Sequence, residues 1–271
     1  MNFISSRRQF LKSATLLTGV AVAVAGGGYS VYSNVIDVTR HHLEGILGGN
    51  RPVKIAVVSD FHAPRSFVTS DWLAGEVNGA NCDALVIVGD TIDRSTNVRL
   101  VTDLFKNIEV RGPKLAVLGN WEHWSNVDLE ALFKGYEDAG VRLLVNETAT
   151  LTPGASRLTI VGVDDLIASQ PNFELVRRPD GLRIVLAHCP ASFDHVRRVA
   201  QGPTLTLSGH THGGQIAPFG FPLWLPEGSG HYVRGWYQVD DHLLFVTRGL
   251  GNSLVPFRIG SRPELAIIQL S

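Results

Sequence analysis

Two cysteines among 271 residues are too few for a disulfide framework, so any stability must come from a buried core. Charge is sparse, at 18% of residues, while 44% are hydrophobic, and this excludes a disordered chain. Neither sign of charge dominates, with 24 Lys plus Arg against 25 Asp plus Glu. A near-neutral chain with no basic stripe argues against a protein whose task is to grip nucleic-acid phosphates, and no nucleic acid is expected as partner. Repeats and low-complexity stretches are absent, which removes fibres, solenoids and arrays. No Pro/Gly/Ser-rich linker interrupts the chain after residue 50, so the body reads as one domain over 51–271. Against these scarcities stands a supply of ten histidines, the first sign of metal or acid–base chemistry.

The first 25 residues hold Arg7, Arg8 and Lys12 and no acid. An apolar run from Ala14 to Ala25 follows, ending in the small residues Ala21, Ala23 and Ala25. This order of basic, apolar and small-residue regions predicts an export signal. The stretch Ser6-Arg7-Arg8-Gln9-Phe10-Leu11-Lys12 resembles a twin-arginine signal. The expected partner is the twin-arginine (Tat) export machinery, and the expected location is the periplasm or the outer face of the cytoplasmic membrane. The apolar run is short for a spanning helix, which favours cleavage over anchoring. Residues 26–50 read as a leader into the fold, with a strand near Val35–Val38 and exposed histidines at 41 and 42.

Buried strands are expected at Lys54–Ser59, Ala84–Val88, Lys114–Leu118, Leu158–Val163, Arg183–Ala187 and Thr204–Leu207. Helical spacing follows turn residues near 69–79, 97–108, 127–138 and 191–200. The alternation predicts an α/β fold with largely parallel strands. Short alternating runs at His231–Val239, Leu243–Thr247 and Glu264–Leu270 predict added antiparallel strands. Cys82 precedes one strand and Cys189 follows another, so parallel strands would hold the thiols about 20 Å apart. A disulfide cannot span that distance, and Cys189 reads as a packed free thiol.

The chemistry lies in what ends each strand. One ends in Asp60-Phe61-His62, the next in Gly89-Asp90-Thr91-Ile92-Asp93, the third in Gly119-Asn120. Further on come His188 and then Gly209-His210-Thr211-His212-Gly213. Open α/β sheets bind ligands outside the carboxyl ends of their strands. Each motif alone has a bland structural reading, as a cap or a turn. Gathered at one buried edge, so many ionisable groups would cost several kcal/mol per uncompensated charge, a cost that cations remove. Asp, His and Asn without thiolate suit Mn, Fe, Zn or Co.

The ordered set D-x-H, G-D-x-x-D, G-N, H and G-H-x-H resembles the calcineurin-like metallophosphoesterases over residues 51–271. Gly209–Ile216, Gly162-Val163-Asp164-Asp165, Arg248-Gly249-Leu250-Gly251 and Pro263-Glu264 are closer to the bacterial envelope phosphodiesterases of the YkuE/YaeI type. The resemblance implies a double β-sandwich flanked by helices, an α/β/β/α arrangement. It implies two divalent metal ions, one on Asp60, His62 and His212 and one on Asn120, His188 and His210, with Asp90 bridging. Asp93 would orient the ligand loop, and Glu122 would be a further acid behind the ligands. Ions about 4 Å apart would share a hydroxide that attacks phosphorus in line.

One departure stands out. The family usually places a histidine after G-N, as the acid that protonates the leaving oxygen. This chain reads Gly119-Asn120-Trp121-Glu122-His123-Trp124. His123 is the candidate replacement, oriented by Glu122, with His195, His231 or metal-bound water as alternatives. Loss of a positioned acid costs on the order of 10²–10⁴-fold, which hurts poor leaving groups most. Phosphodiesters or pyrophosphates are therefore the expected substrates. Phosphomonoester hydrolysis and non-catalytic metal-dependent binding in the cell envelope are the alternatives. After the last ligands, the loop Ile216–Pro226 carries Phe221, Leu223 and Trp224. It either folds back onto the body or forms a substrate rim that touches the membrane surface and admits a lipid-linked phosphate. The protein is expected to be a monomer.

Overall fold

A computed structural model describes residues 35–47, 51–63, 66–93, 98–152, 157–178 and 181–271. The expected signal at 1–25 lies outside the described residues, among which no helix is long and apolar enough to cross a membrane. Two six-stranded sheets form the centre. The first has the strands β1 (Asp37–Leu43), β2 (Val53–Val58), β3 (Ala84–Val88), β4 (Lys114–Val117), β5 (Val141–Leu143) and β12 (Glu264–Leu270), in the order β1-β12-β2-β3-β4-β5. The second has β6 (Glu147–Leu151), β7 (Leu158–Gly162), β8 (Arg183–Leu186), β9 (Thr204–Ser208), β10 (Gly235–Val239) and β11 (His242–Val246), in the order β10-β11-β9-β8-β7-β6.

The two-residue period of the strands explains the layering. On β2, Val53, Ile55 and Val57 face the second sheet, where they join Ile160, Ile184, Leu186, Leu205 and Leu207 in one core. Ala56 and Val58 point the other way, into a core closed by helices α1 (Ser70–Ala80), α2 (Arg99–Phe105) and α4 (Leu129–Asp138). Phe61, Leu73, Phe105, Leu132 and Tyr136 fill that layer. On the outer face of the second sheet, Val161, Val185 and Ala187 pack against Val196 of α5 (Ser192–Val199). The result is the expected α/β/β/α stack, with both sheets apolar on both faces as parallel sheets require. The short helix α3 (Asn120–Trp124) lies on the edge where the chemistry gathers.

Several sequence expectations are corrected in detail. The strand expected near Val35–Val38 runs from Asp37 to Leu43 and pairs parallel with β12, so part of the leader is an edge strand of the first sheet. Its His41 is half-buried, not exposed; its ring lies tilted against Phe245 (4.9 Å) and accepts a hydrogen bond from Trp236 Nε1 (3.2 Å). The last three strands are not simply antiparallel additions. β10 is antiparallel to β11 and β12 to β2, but β11 runs parallel to β9. Strands β5 and β6 carry no long apolar run, and local pattern did not disclose them. Both cysteines are free and buried, and Cys189 Sγ donates to Asp165 Oδ2 (3.2 Å).

Candidate metal centre

Each expected ligand follows the carboxyl end of a strand. Asp60 and His62 leave β2, Asp90 leaves β3 and Asn120 follows β4, all in the first sheet. His188 leaves β8, and His210 and His212 follow β9 in the second. All seven are nearly or fully buried. Six of them form two groups whose donor atoms lie within 4.8 Å of one another: Asp60, His62 and His212; and Asp90, His188 and His210. Asp90 Oδ2 is 3.1 Å from His188 Nε2 and 3.7 Å from His62 Nε2, so one carboxylate oxygen faces both groups.

Five ligands have left-handed backbone: Asp60 (φ 55°), His62 (46°), Asp90 (53°), His210 (71°) and His212 (51°). Non-glycine residues there cost about 1–3 kcal/mol each, and persist only where the surroundings fix them. Backbone bonds between the strand ends supply that restraint. Asp60 N–H donates to Gly89 O (3.0 Å) and His62 N–H to Asp90 O (3.0 Å). The Asp60 carboxylate in turn accepts from His210 N–H (3.0 and 3.1 Å). Gly209 and Gly119 are required by close approach. A Cβ at Gly209 would collide with Ser59 Oγ and Asp60 Oδ2, and one at Gly119 with Asp90 Oδ1.

Glu122 anchors the loop that carries Asp90. Its buried carboxylate accepts from the backbone N–H groups of Gly119 (2.8 Å), Asp90 (2.9 Å) and Thr91 (2.7 Å). Burial pushes its pKa up, and these donors pull against that rise. Asp93 is buried on the same loop.

The ring tautomers follow from their outer bonds. His188 Nδ1 donates to Val88 O (2.8 Å) and His210 Nε2 to Glu227 O (2.7 Å). In the neutral rings, those bonds leave His188 Nε2 and His210 Nδ1 as lone-pair atoms facing each other across 3.2 Å. Two facing lone pairs repel unless a cation lies against them, which is the arrangement of a ligand pair. Asn120 Oδ1 is buried with no hydrogen-bond partner, a further unspent donor to a cation. The residues present therefore fit divalent metal ions bound through imidazole, carboxylate and amide oxygen.

Protons and a cation compete for these groups, and the pKa shifts describe the protonated side of that competition. Burial pushes the Asp90 carboxyl up to about 7, against the pull of His188, and raises Asp60 as well. Burial lowers His210 to about 4 and lowers His212. Burial also opposes charge on His188, but Asp90 beside it outweighs this and holds its pKa well above the ordinary value.

Among the acid candidates, His123 Nε2 lies 2.8 Å from Asp164 Oδ1. This hydrogen bond raises the His123 pKa in spite of partial burial. Burial raises the Asp164 pKa, but the bonds from His123, Ser169 Oγ (2.6 Å) and the N–H of Asp165 (2.8 Å) outweigh it and keep the value low. Thus His123 is oriented by Asp164; Glu122, expected in that role, turns to the Asp90 loop. Trp121 sets its ring edge-on to His62, with centroids 5.6 Å apart. His195 instead stacks on Phe173 (5.0 Å) and His231 lies against Tyr232 (4.3 Å). The loop after His212 does not fold its large side chains inward. Phe221, Leu223 and Trp224 are 75%, 51% and 48% exposed.

Sequence reasoning missed Arg258. Its buried guanidinium donates to the carbonyls of Gly251 (from Nε, 3.0 Å) and Arg248 (from Nη1, 2.7 Å), and its Nη2 lies 3.0 Å from His212 Nδ1. Burial lowers its pKa to about 9. An arginine between Phe257 and Ile259 is the only local signal, and it does not say what the guanidinium faces.

Residues 53–214 match the calcineurin-like phosphoesterase family. The uncharacterized metallophosphoesterase YkuE of Bacillus subtilis is 33% identical, over 98% of this chain and 97% of its own. Phosphodiesterase YaeI of Escherichia coli is 29% identical, over 98% of this chain and 99% of its own. Among solved structures, an archaeal phosphodiesterase aligns with a TM-score of 0.41 and 13% identity, over 73% of this chain and 84% of that one. With the family match spanning more than half of the sequence, the chain belongs to the calcineurin-like phosphoesterases, metal-dependent hydrolases of phosphoric esters.

Proposed function

We propose that this protein is an exported phosphodiesterase that uses two divalent ions and takes lipid-linked phosphodiesters or pyrophosphates. The observation that carries the reading is the adjacency of two buried ligand groups with one Asp90 oxygen facing both. Asp60, His62 and His212 would hold one ion, and Asn120, His188 and His210 the other. Bound ions of this kind supply water activation and neutralise charge on a phosphoryl group.

The protein's own groups do the rest. Asp90 faces both groups, and Glu122 fixes its loop. Asp164 accepts from His123 Nε2 and keeps that ring protonated to higher pH, so His123 can deliver a proton to the leaving oxygen. Trp121 replaces the family's usual acid with an apolar wall beside His62. That exchange favours leaving groups that need little protonation, which are those of diesters and pyrophosphates rather than alkyl monoesters. The basic and apolar order of residues 1–25 supports export by the twin-arginine route, to the periplasm or the outer membrane face. The relative YaeI, named a phosphodiesterase, supports the diester assignment.

The test is hydrolysis of bis-p-nitrophenyl phosphate and p-nitrophenyl phosphate by chelated protein, before and after Mn addition. Metal-dependent turnover of the diester, abolished by Asp90→Asn, supports the reading. Turnover of the monoester alone, or metal binding with no turnover of either compound, would refute it.

A further inference from the structure

The loop after the last metal ligands carries no charge from Ile216 to Pro226, and it holds its largest side chains outward. Phe219 and Phe221 are 72% and 75% exposed, and Leu223 and Trp224 are about half exposed. Such a cluster on a water-soluble surface marks a contact site.

The exposure is built in, because the backbone beneath it is pinned. Ala217 N–H donates to Ile259 O (2.7 Å) and Leu223 N–H to Ile216 O (3.0 Å). Arg234 holds the carbonyls of Gly220 (3.1 Å), Gly213 (3.3 Å) and Gly260 (3.0 Å) with one guanidinium. Pro222 packs so closely on Gly214, two residues past His212, that a Cβ there would meet it at 2.5 Å. Phe219 has φ +55°, a strained backbone that this scaffold maintains. The outward rings are therefore presented by the same framework that places His212.

The point where the chain enters the described fold names the occupant. Asp37 N–H donates to Pro263 O, and the Asp37 carboxylate bonds to Arg248 (3.1 Å) and Arg262 (3.4 Å). Arg248 lies against Gly213, whose carbonyl Arg234 joins to Gly220 of the loop. Entry point, loop and metal-ligand turn thus share one rim, joined by hydrogen bonds and by the packing of Arg248 on Gly213. In the sequence, only the eleven residues Gly26–Ile36 separate this rim from the apolar run that ends at Ala25. Eleven residues reach at most about 36–40 Å, so were that run held at a bilayer, this rim would stay within that distance of it.

We infer that the Phe219–Trp224 loop is a membrane-docking edge that seats the metal centre at a lipid bilayer, within reach of phosphate esters carried by lipids. An uncharged loop with Trp and Phe at its tip matches the boundary between headgroups and acyl chains better than it matches a charged protein partner. The inference rests on the phosphodiesterase reading for the chemistry it serves, but not for the contact itself.

The experiment uses the full chain with vesicles of phosphatidylethanolamine and phosphatidylglycerol, with and without brominated acyl chains. Bromine quenches tryptophan only on close approach. Wild type should be quenched, and Trp224→Phe should lose that quenching while still sedimenting with the vesicles. The double variant Phe219→Ser/Phe221→Ser should lose most of the tryptophan quenching, whatever the first 25 residues contribute to partitioning. Asp90→Asn should be quenched as wild type, which separates the docking from the catalytic reading. Equal quenching of wild type and Trp224→Phe would overturn the proposal. So would loop-dependent self-association, measured by sedimentation, with no lipid quenching; the edge would then be a contact between copies.

Discussion

Glu122→Gln should uncouple the metal loop with almost no change in shape. One carboxylate oxygen accepts from the N–H groups of Gly119 (2.8 Å) and Asp90 (2.9 Å). The other accepts from Thr91 (2.7 Å) and, more weakly, from Ile92 (3.4 Å). Glutamine keeps one acceptor oxygen and turns an NH2 group toward the remaining donors. At least one short bond is then lost, and two backbone N–H groups at this buried site face another donor. Each unsatisfied donor costs about 1–3 kcal/mol. Relief of the buried carboxylate offsets part of this, which leaves about 2–4 kcal/mol. For a domain of this size, that corresponds to a fall in Tm of about 4–16 °C. Asp90 sits at φ 53°, and with its clamp weakened it should relax toward ordinary backbone and leave the shared position between the two ligand groups. Differential scanning calorimetry measures the first effect, and elemental analysis of metal per chain the second. A Gln variant that melts within a degree or two of wild type and keeps its full metal complement would refute the argument that Glu122 positions Asp90.

Gly209→Ala should fail to hold metal at the Asp60 group, because its Cβ would enter the space of Ser59 Oγ and Asp60 Oδ2; a cost of about 1–3 kcal/mol for overpacking should also appear in thermal melts. His123→Ala should slow hydrolysis of alkyl diesters by about 10²-fold or more while aryl diesters lose much less, and an equal loss for both would remove His123 as the acid. The Asp164 bond raises the His123 pKa, so turnover of poor leaving groups should hold above the ordinary histidine value and fall as pH rises through the raised one. Asp164→Asn should move that falling limb to lower pH, as read from pH–rate profiles. The same pair contributes stability fully below the unfolded histidine pKa of about 6.5, and loses it as pH rises through the folded value.

The grouping of the candidate ligands was legible because each follows a short apolar run that reads as a buried strand, and α/β topology carries strand ends to one edge. Asp60, Asp90 and His188 needed no knowledge of register to be placed together. Other features depend on contacts between segments far apart in sequence. Residues 37–43 look like leader because their partner strand, Glu264–Leu270, lies more than two hundred residues away. The parallel pairing of β11 with β9 is likewise invisible in an alternating run that suits either direction. The spacing of Glu122 and His123 suggested that they act on each other. In the fold, Glu122 turns to the Asp90 loop and His123 to Asp164, at the end of a strand in the other sheet. Arg258 illustrates the same limit: its neighbours Phe257 and Ile259 say that it is buried, but not that it lies beside His212.

The ligand groups draw on both sheets at once. Asp60 and His62 come from the first and His212 from the second, while Asp90 comes from the first and His188 and His210 from the second. A loaded centre would therefore act as a rivet through the interface of the two sheets. Peeling the sheets apart would require losing the ions first, so metal should slow unfolding far more than it speeds folding. Such a protein gains persistence rather than speed. A loaded chain would resist being threaded through a narrow pore in unfolded form, and passage in the folded state would be the easier route across a membrane.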